Sequence, residues 1–228
     1  MKHIGIVGIS PIGTAHCYRI IVEKSADIFG VPVMHPEITL HNFSFRDYRN
    51  AGPENGNRWE RVHDIILNSI LKLKKIGADF AIIPANTVHY NFSYVEQNSP
   101  LPIINMIETT VRNCVDNGFR TPLILGTKLT MCGGLYEMKF HEHGINCVIP
   151  TIADIDKIDL AISGKLMAGK PESIILENIY NAIRTTNCDS IILACTELSS
   201  LMHSSNFEIP VIDSTELLAD AALKMALQ

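Results

Sequence analysis

Two short segments of the 228-residue chain hold side chains able to carry acid–base or nucleophilic chemistry: Ala194-Cys195-Thr196-Glu197-Leu198 and Pro84-Ala85-Asn86-Thr87-Val88-His89. Each follows an apolar run that reads as a β-strand. A thiol at a strand end, followed by a hydroxyl and by backbone N–H groups entering a helix, can have its thiolate stabilised. An ordinary thiol with a pKa of about 8.5 is only a few per cent ionised at pH 7, so such help matters. The alternative for Cys195 is a buried structural cysteine, since cysteine is among the most buried residue types. Cys17 is the other thiol within reach of the same chemistry. Its apolar spacing with Ile20 and Ile21 favours core packing.

Groups that could hold a ligand lie beside the same strand ends. Ser10, Asn86, Thr87, Thr127, Thr130 and Thr196 carry small polar side chains there. Each threonine reads equally well as a helix N-cap. Glu197 either orients an ammonium group or a neighbouring histidine, or is a first-turn carboxylate favoured by the helix dipole. The polar stretch 41–58 offers Arg46, Arg49 and Arg58, of which Arg58, just before Trp59, is the candidate for a bidentate grip on a carboxylate.

Other signals are set aside. His141-Glu142-His143 sits where a helix over Tyr136–Phe140 should end and lacks HExxH or further ligands at metal spacing, so no metal is expected. Gly5, Gly8 and Gly13 do not form GxGxxG, and no GK[ST] follows, so a nucleotide cofactor has little support.

The elements that must position these groups alternate between strand and helix. Ile4–Val7 predicts a first strand ending at Gly8, and a helical pattern runs from Thr14 to a stop at Gly30. Glu37–Leu40 predicts the next strand, and residues 41–57 read as a long surface loop. Trp59, Val62, Ile66, Ile70 and Leu73 mark one face of a helix closed at Gly77, before a buried strand at Asp79–Pro84. A second series follows with strands at Leu123–Gly126, Ile145–Ile149 and Asp189–Ala194 and a helix around Ile175, Ile179 and Ile183. Strands alternating with helices imply a parallel α/β sheet.

The series also repeats itself. Asp79-Phe-Ala-Ile-Ile-Pro84 matches Asp189-Ser-Ile-Ile-Leu-Ala194, and Pro102-Ile-Ile-Asn105 with Glu108 matches Pro210-Val-Ile-Asp213 with Glu216. In this alignment the partner of Cys195 is Ala85. A repeat this long predicts two pseudo-symmetric α/β domains, each a mostly parallel sheet flanked by helices. The expected boundaries are residues 1–100 plus 209–228 for the first and 101–208 for the second. Ligands gather at the carboxyl ends of strands in such sheets, so two domains facing each other would share an interdomain cleft.

Composition agrees with a globular protein: 46% hydrophobic, 19% charged, with a net charge of −5. An acidic balance without Lys/Arg blocks argues against nucleic acid or an anionic membrane as partner. Apolar runs are too short for a transmembrane helix, and the N-terminus reads as a strand rather than a secretory signal. The six cysteines show no CxxC spacing. They read as reduced thiols in a cytoplasmic protein.

Three segments together resemble the hallmarks of the aspartate/glutamate racemase family: Ala194–Leu198, Leu125-Gly126-Thr127-Lys128-Leu129-Thr130-Met131 and Pro84–His89. The opening Gly5-Ile-Val-Gly8 with Thr14 and Tyr18-Arg19, and the closing Ile209-Pro-Val-Ile-Asp213-Ser214-Thr215, resemble it as well. The resemblance implies racemisation of an acidic amino acid, aspartate or glutamate, without pyridoxal phosphate or other cofactor, in a homodimer. It also implies that Asn86, Thr87, Thr127, Thr130 and Thr196 lie at the cleft, and Ser10, Val88 and Glu197 are further candidates for binding the substrate. Two cysteines would work on opposite faces of the α-carbon. Cys195 falls on the second, and the first falls on Ala85, which can neither remove nor return a proton.

Three readings therefore stand: a racemase impaired or altered at position 85, a one-cysteine decarboxylase or isomerase of a dicarboxylic acid, and a non-catalytic binder of acidic ligands. Decarboxylases that resemble the family keep only the second cysteine. The family often has a lysine just before an Ala-Gly pair. Here Met167 precedes Ala168-Gly169, with Lys165 and Lys170 nearby, which leaves aspartate and glutamate both open.

Overall fold

A computed structural model describes residues 1–32, 34–52, 59–170, 173–202 and 207–228. The chain divides into two compact units, Met1–Met106 with Leu218–Gln228, and Ile107–Leu217.

In the first unit, strand β1 (Ile4–Gly8) is followed by helix α1 (Pro11–Phe29), strand β2 (Ile38–Asn42), helices α2 (Phe45–Ala51) and α3 (Trp59–Ile76) and strand β3 (Phe80–Ile82). A 3-10 turn at Thr87–His89, helix α4 (Ser93–Asn98) and strand β4 (Ile103–Ile104) complete the series. All pairings are parallel in the order β2-β1-β3-β4.

Helix α1 begins three residues earlier than the apolar pattern indicates. Ser10 caps it, and Pro11 fits the first turn, where a missing N–H costs nothing. Gly30 closes it in the left-handed conformation at φ 64°. The expected loop 41–57 is not all loop. Phe45, Tyr48 and Ala51 recur at helical spacing, and the first two rings stack with centroids 5.6 Å apart, which turns this polar stretch into α2. The predicted stripe on α3 is buried along its length, from Trp59 through Leu73.

The second unit carries helix α5 (Met106–Asp116), entered from the first, then strand β5 (Pro122–Leu125) and helices α6 (Lys128–Cys132), α7 (Leu135–His141) and α8 (Ile152–Ala161). A π-helical turn at Ile162–Leu166 extends α8, and helix α9 (Ser173–Thr185), strand β6 (Ser190–Leu193), helix α10 (Thr196–Ser199), strand β7 (Val211–Asp213) and helix α11 (Ser214–Ala226) follow. The sheet is parallel in the order β5-β6-β7. The strand expected at Ile145–Ile149 is reduced to one parallel bridge between Leu123 and Val148. Pro150 has no N–H to extend the ladder. Because β7 pairs with β6, the chain returns to the first unit at Leu218, within α11, rather than at residue 209.

The repeated sequence recurs as repeated hydrogen bonding. Asp79 accepts from the His3 N–H at 2.7 Å, and Asp189 accepts from the Thr121 N–H at 2.9 Å. Ala81 N–H donates to the Pro102 carbonyl at 2.8 Å, and Ile191 N–H to that of Pro210 at 2.9 Å. An aspartate before each strand thus pins the start of its neighbour.

The core of the first unit sits under β1 and β3. Ile4, Ile6, Phe80 and Ile82 pack against Cys17, Ile20 and Ile21 of α1 and against Leu218, Ala219, Ala222, Leu223 and Ala226 of α11. Cys17 is therefore a core residue. No described helix is long and apolar enough to cross a membrane, and all six cysteines are free thiols.

Candidate functional site

The candidate residues occupy strand ends in both units. In the first, β1 runs into Ser10, which is buried and accepts at Oγ from the Gly13 N–H at 3.5 Å. Thr14 Oγ1 donates to the Ser10 carbonyl at 2.6 Å. Asn42, at the end of β2, holds this tip. Its amide group donates to the carbonyls of Gly8, Ile9 and Phe43 at 3.2, 3.3 and 3.0 Å. Gly8 leaves room for it, since a Cβ there would stand 2.6 Å from Asn42 Oδ1. Asn42 belongs to no motif that would mark it in the sequence.

The Pro84–His89 segment is a tight turn beyond β3. Ala85 and Thr87 are half-buried, and Asn86 is buried. Val88 is fully buried, so its contribution to any ligand is through the backbone. His89 faces inward. Its Nδ1 lies 2.9 Å from the Ala85 carbonyl, and its Nε2 accepts from the Met106 N–H at 3.4 Å. A carbonyl can only accept and an amide N–H only donate, so the ring is neutral with its proton on Nδ1. Burial pushes its pKa down to about 4, against smaller opposing pulls from the Ala85 and Asn86 carbonyls. His89 is thus a strut for the Ala85 backbone. His63 of α3 supports the far end of the turn, with Nε2 3.0 Å from the Tyr90 carbonyl and Trp59 stacked on the Tyr90 ring at 5.3 Å. Arg58 lies outside the described residues.

In the second unit, β5 ends at Gly126. A Cβ there would meet the Ala194 carbonyl oxygen at 2.8 Å, so only glycine lets the two strand ends approach. Thr127 caps α6, accepting from the Thr130 N–H at 3.3 Å, and the two hydroxyls are 3.0 Å apart. Thr130 is buried.

Cys195 follows β6 in extended conformation and caps α10 with its carbonyl, which accepts from Leu198 and Ser199 at 3.0 and 3.1 Å. Its side chain is turned to Glu197. The S–H donates to Oε2 at 3.1 Å, and the Thr196 hydroxyl donates to the same oxygen at 3.0 Å. All three residues are at most 6% exposed. The expected thiolate is not what this setting favours. Burial first, then the charge of Glu197 and the hydrogen bond to it, push the Cys195 thiol well up. The backbone N–H groups of Glu197 and Leu198 act in the other direction and are outweighed. At rest the sulfur carries its proton.

Beside α10 lies a polar cluster around the half-buried Asp213, which the sequence showed only as part of the repeat. Asp213 accepts from the Ser199 hydroxyl and from the Thr215 and Glu216 N–H groups, at 2.8 and 3.2 Å for the last two. Ser214 Oγ donates to the Leu193 carbonyl at 2.7 Å, tying α11 to the end of β6. Tyr136 hydrogen-bonds Thr110 and Ser214. The π-helical turn also packs against α10. A cavity of about 550 Å³ lined by Tyr180, Arg184, Cys188 and Phe207 sits at the opposite end of β6. Among the described residues no group of three or more His, Cys, Asp or Glu side chains could hold a metal ion.

Residues 6–222 match the Asp/Glu/hydantoin racemase family, and the chain belongs to it. The broad specificity amino-acid racemase RacX of Bacillus subtilis is 22% identical over 229 residues, covering 96% of each chain. The crystal structure of an aspartate racemase homologue from Pyrococcus horikoshii is 26% identical with a TM-score of 0.84 over the whole of both chains. The aspartate racemase of Picrophilus torridus is 27% identical with a TM-score of 0.80, covering 99% of this chain and 94% of its own.

Proposed function

We propose that the chain transfers a proton at the α-carbon of an acidic amino acid, aspartate or glutamate, without a cofactor, and that Cys195 is the group that does so. The observation that carries this reading is the Cys195 thiol itself: buried at a strand end, with its S–H donating to the Glu197 carboxylate. Membership of a racemase family and likeness to aspartate racemases support the reaction class and the substrate.

Inversion needs one group to remove a proton from one face and another to return one to the opposite face. Ala85 supplies a methyl group where the resemblance puts the first thiol. Loss of one proton-transfer group costs on the order of 10²–10⁴ in rate. The reading therefore has a stereochemical signature. In deuterium oxide the chain exchanges the α-hydrogen of one enantiomer of aspartate or glutamate mainly with retention. Ala85→Cys converts exchange into inversion, and Cys195→Ser abolishes both. Absence of exchange from Ala85→Cys with either amino acid overturns the proposal.

The protonated state of Cys195 favours a second reading. A thiol at rest is ready to give a proton to a carbanion formed by loss of carbon dioxide. In that case the C–C bond of a malonate-type acid breaks and its electron pair takes the thiol proton. Carbon dioxide release from such an acid, lost in Cys195→Ser, selects this reading over racemisation.

A further inference from the structure

We propose that Glu197 is the proton partner of Cys195, the two side chains holding one proton between Sγ and Oε2 and passing it back and forth during turnover. The inference rests on the proposed role of Cys195 and adds to it the residue that loads and unloads the sulfur.

The geometry is specific. Sγ and the Thr196 hydroxyl converge on one oxygen, Oε2, at 3.1 and 3.0 Å. The carboxylate is 3% exposed and the sulfur 6%, so water competes little for either. An S–H pointing at a carboxylate cannot abstract an α-proton as it stands. It must first be emptied, and the group in contact is Glu197. Two acids that face each other across one hydrogen bond do not both ionise readily. Thr196 has a part as well. Its hydroxyl donates to the same oxygen and so competes with the S–H for it.

The steps balance. In abstraction, the S–H bond breaks and an O–H bond forms on Oε2. The thiolate then takes the α-hydrogen: the C–H bond breaks, S–H re-forms, and the electron pair stays on the α-carbon. In return, the S–H bond breaks as that pair makes a C–H bond, and the proton parked on Oε2 goes back to sulfur. No proton is gained or lost over the cycle. Label enters when the hydrogen held on sulfur exchanges with solvent before it is returned to carbon.

The test needs no turnover. Thiolate absorbance is titrated in the full chain and in its Cys195→Ser counterpart, and the difference isolates Cys195 from the other cysteines. Removing a like charge within about 4–6 Å moves a pKa by roughly one to three units. Glu197→Gln is therefore expected to raise the thiolate fraction at a given alkaline pH by at least about tenfold, with the profile moving down. Alkylation rises less, roughly threefold per unit, because a less basic thiolate is a weaker nucleophile. Thr196→Val is expected to move the profile the other way, since it leaves Oε2 to the S–H alone and strengthens that hydrogen bond, and it preserves the test should Glu197→Gln not fold. A Glu197→Gln profile that stays in place or moves up overturns the pairing, as does a downward shift in Thr196→Val. Deuterium exchange with aspartate and glutamate is measured alongside. Shifted titrations with no exchange from Ala85→Cys keep the pair and remove the racemase reading. Exchange with unshifted titrations keeps the racemase and removes the pair.

Discussion

At the scale of single residues, the chemistry rests on protonation states set by surroundings rather than by residue type. His89 and Cys195 both stand near strand ends, and both are held neutral, the first by burial and the second by burial beside a carboxylate. For His89 the consequence is measurable in stability. The imidazole is neutral in the fold down to about pH 4, whereas the unfolded chain protonates it near 6.5. Between these values the unfolded state binds the extra proton, so the contribution of His89 is full above 6.5 and is lost as pH falls toward 4. The shift corresponds to roughly 3 kcal/mol over that window. Urea unfolding at several pH values should show a steep loss of stability on acidification and a shallower one in His89→Gln. Equal slopes in the two chains sink this account. The sequence marked Cys195, Glu197 and the threonines by type and place. It did not reveal that Cys195 is protonated, because that depends on which way Glu197 turns within α10.

Among elements, most strands and the long helices were legible. Their apolar spacing is dictated by one buried face, as on α3, or by burial on both faces, as on β3 and β6. The short elements were not. Helix α2 has only three apolar residues at helical spacing inside a polar stretch, and α6 and α10 are caps and turns more than helices. The strand expected at 145–149 shrank because its neighbours, Gly144 and Pro150, stop it on both sides. Equally invisible was the clamp of Asn42 over the tip of β1, which joins residues 34 positions apart. This clamp predicts a coupling between elements. Gly8→Ala drives a methyl into Asn42, and Asn42→Ala leaves three carbonyls without their donor. Each change alone should cost about 1–3 kcal/mol. The double variant should cost less than the sum, since the clash vanishes with the side chain it strikes. Strict additivity in denaturant titrations overturns the clamp.

At the scale of the whole molecule, the sequence repeat foretold two α/β units, and its hydrogen bonds recur in both sheets. What it could not show was ownership of the last helix. Helix α11 begins in the second unit, where Asp213 and Ser214 anchor it, and ends in the core of the first. The Lys2 backbone N–H donates to the Ala226 carbonyl at 2.8 Å, so the two ends of that unit are bonded to each other. Leu223 is 1% exposed among Ile and Phe side chains. Leu223→Ala is expected to cost about 2–5 kcal/mol, the range for a buried leucine that leaves a cavity. A loss below 1 kcal/mol by thermal or chemical unfolding contradicts the placement of α11 in this core.

The divided membership of that helix also sets an order of events on the ribosome. When residue 217 has been made, every strand of both sheets exists, but Leu218, Ala219, Ala222, Leu223 and Ala226 are still missing from the N-terminal core. The unit made second is therefore the one able to finish first, and the half synthesised earliest waits for residues 218–226. Nascent chains stalled with residue 217 clear of the exit tunnel should resist protease across 107–217 and be cut within 1–106, whereas released chains should resist in both. Early protection of 1–106 in the stalled chains contradicts this order.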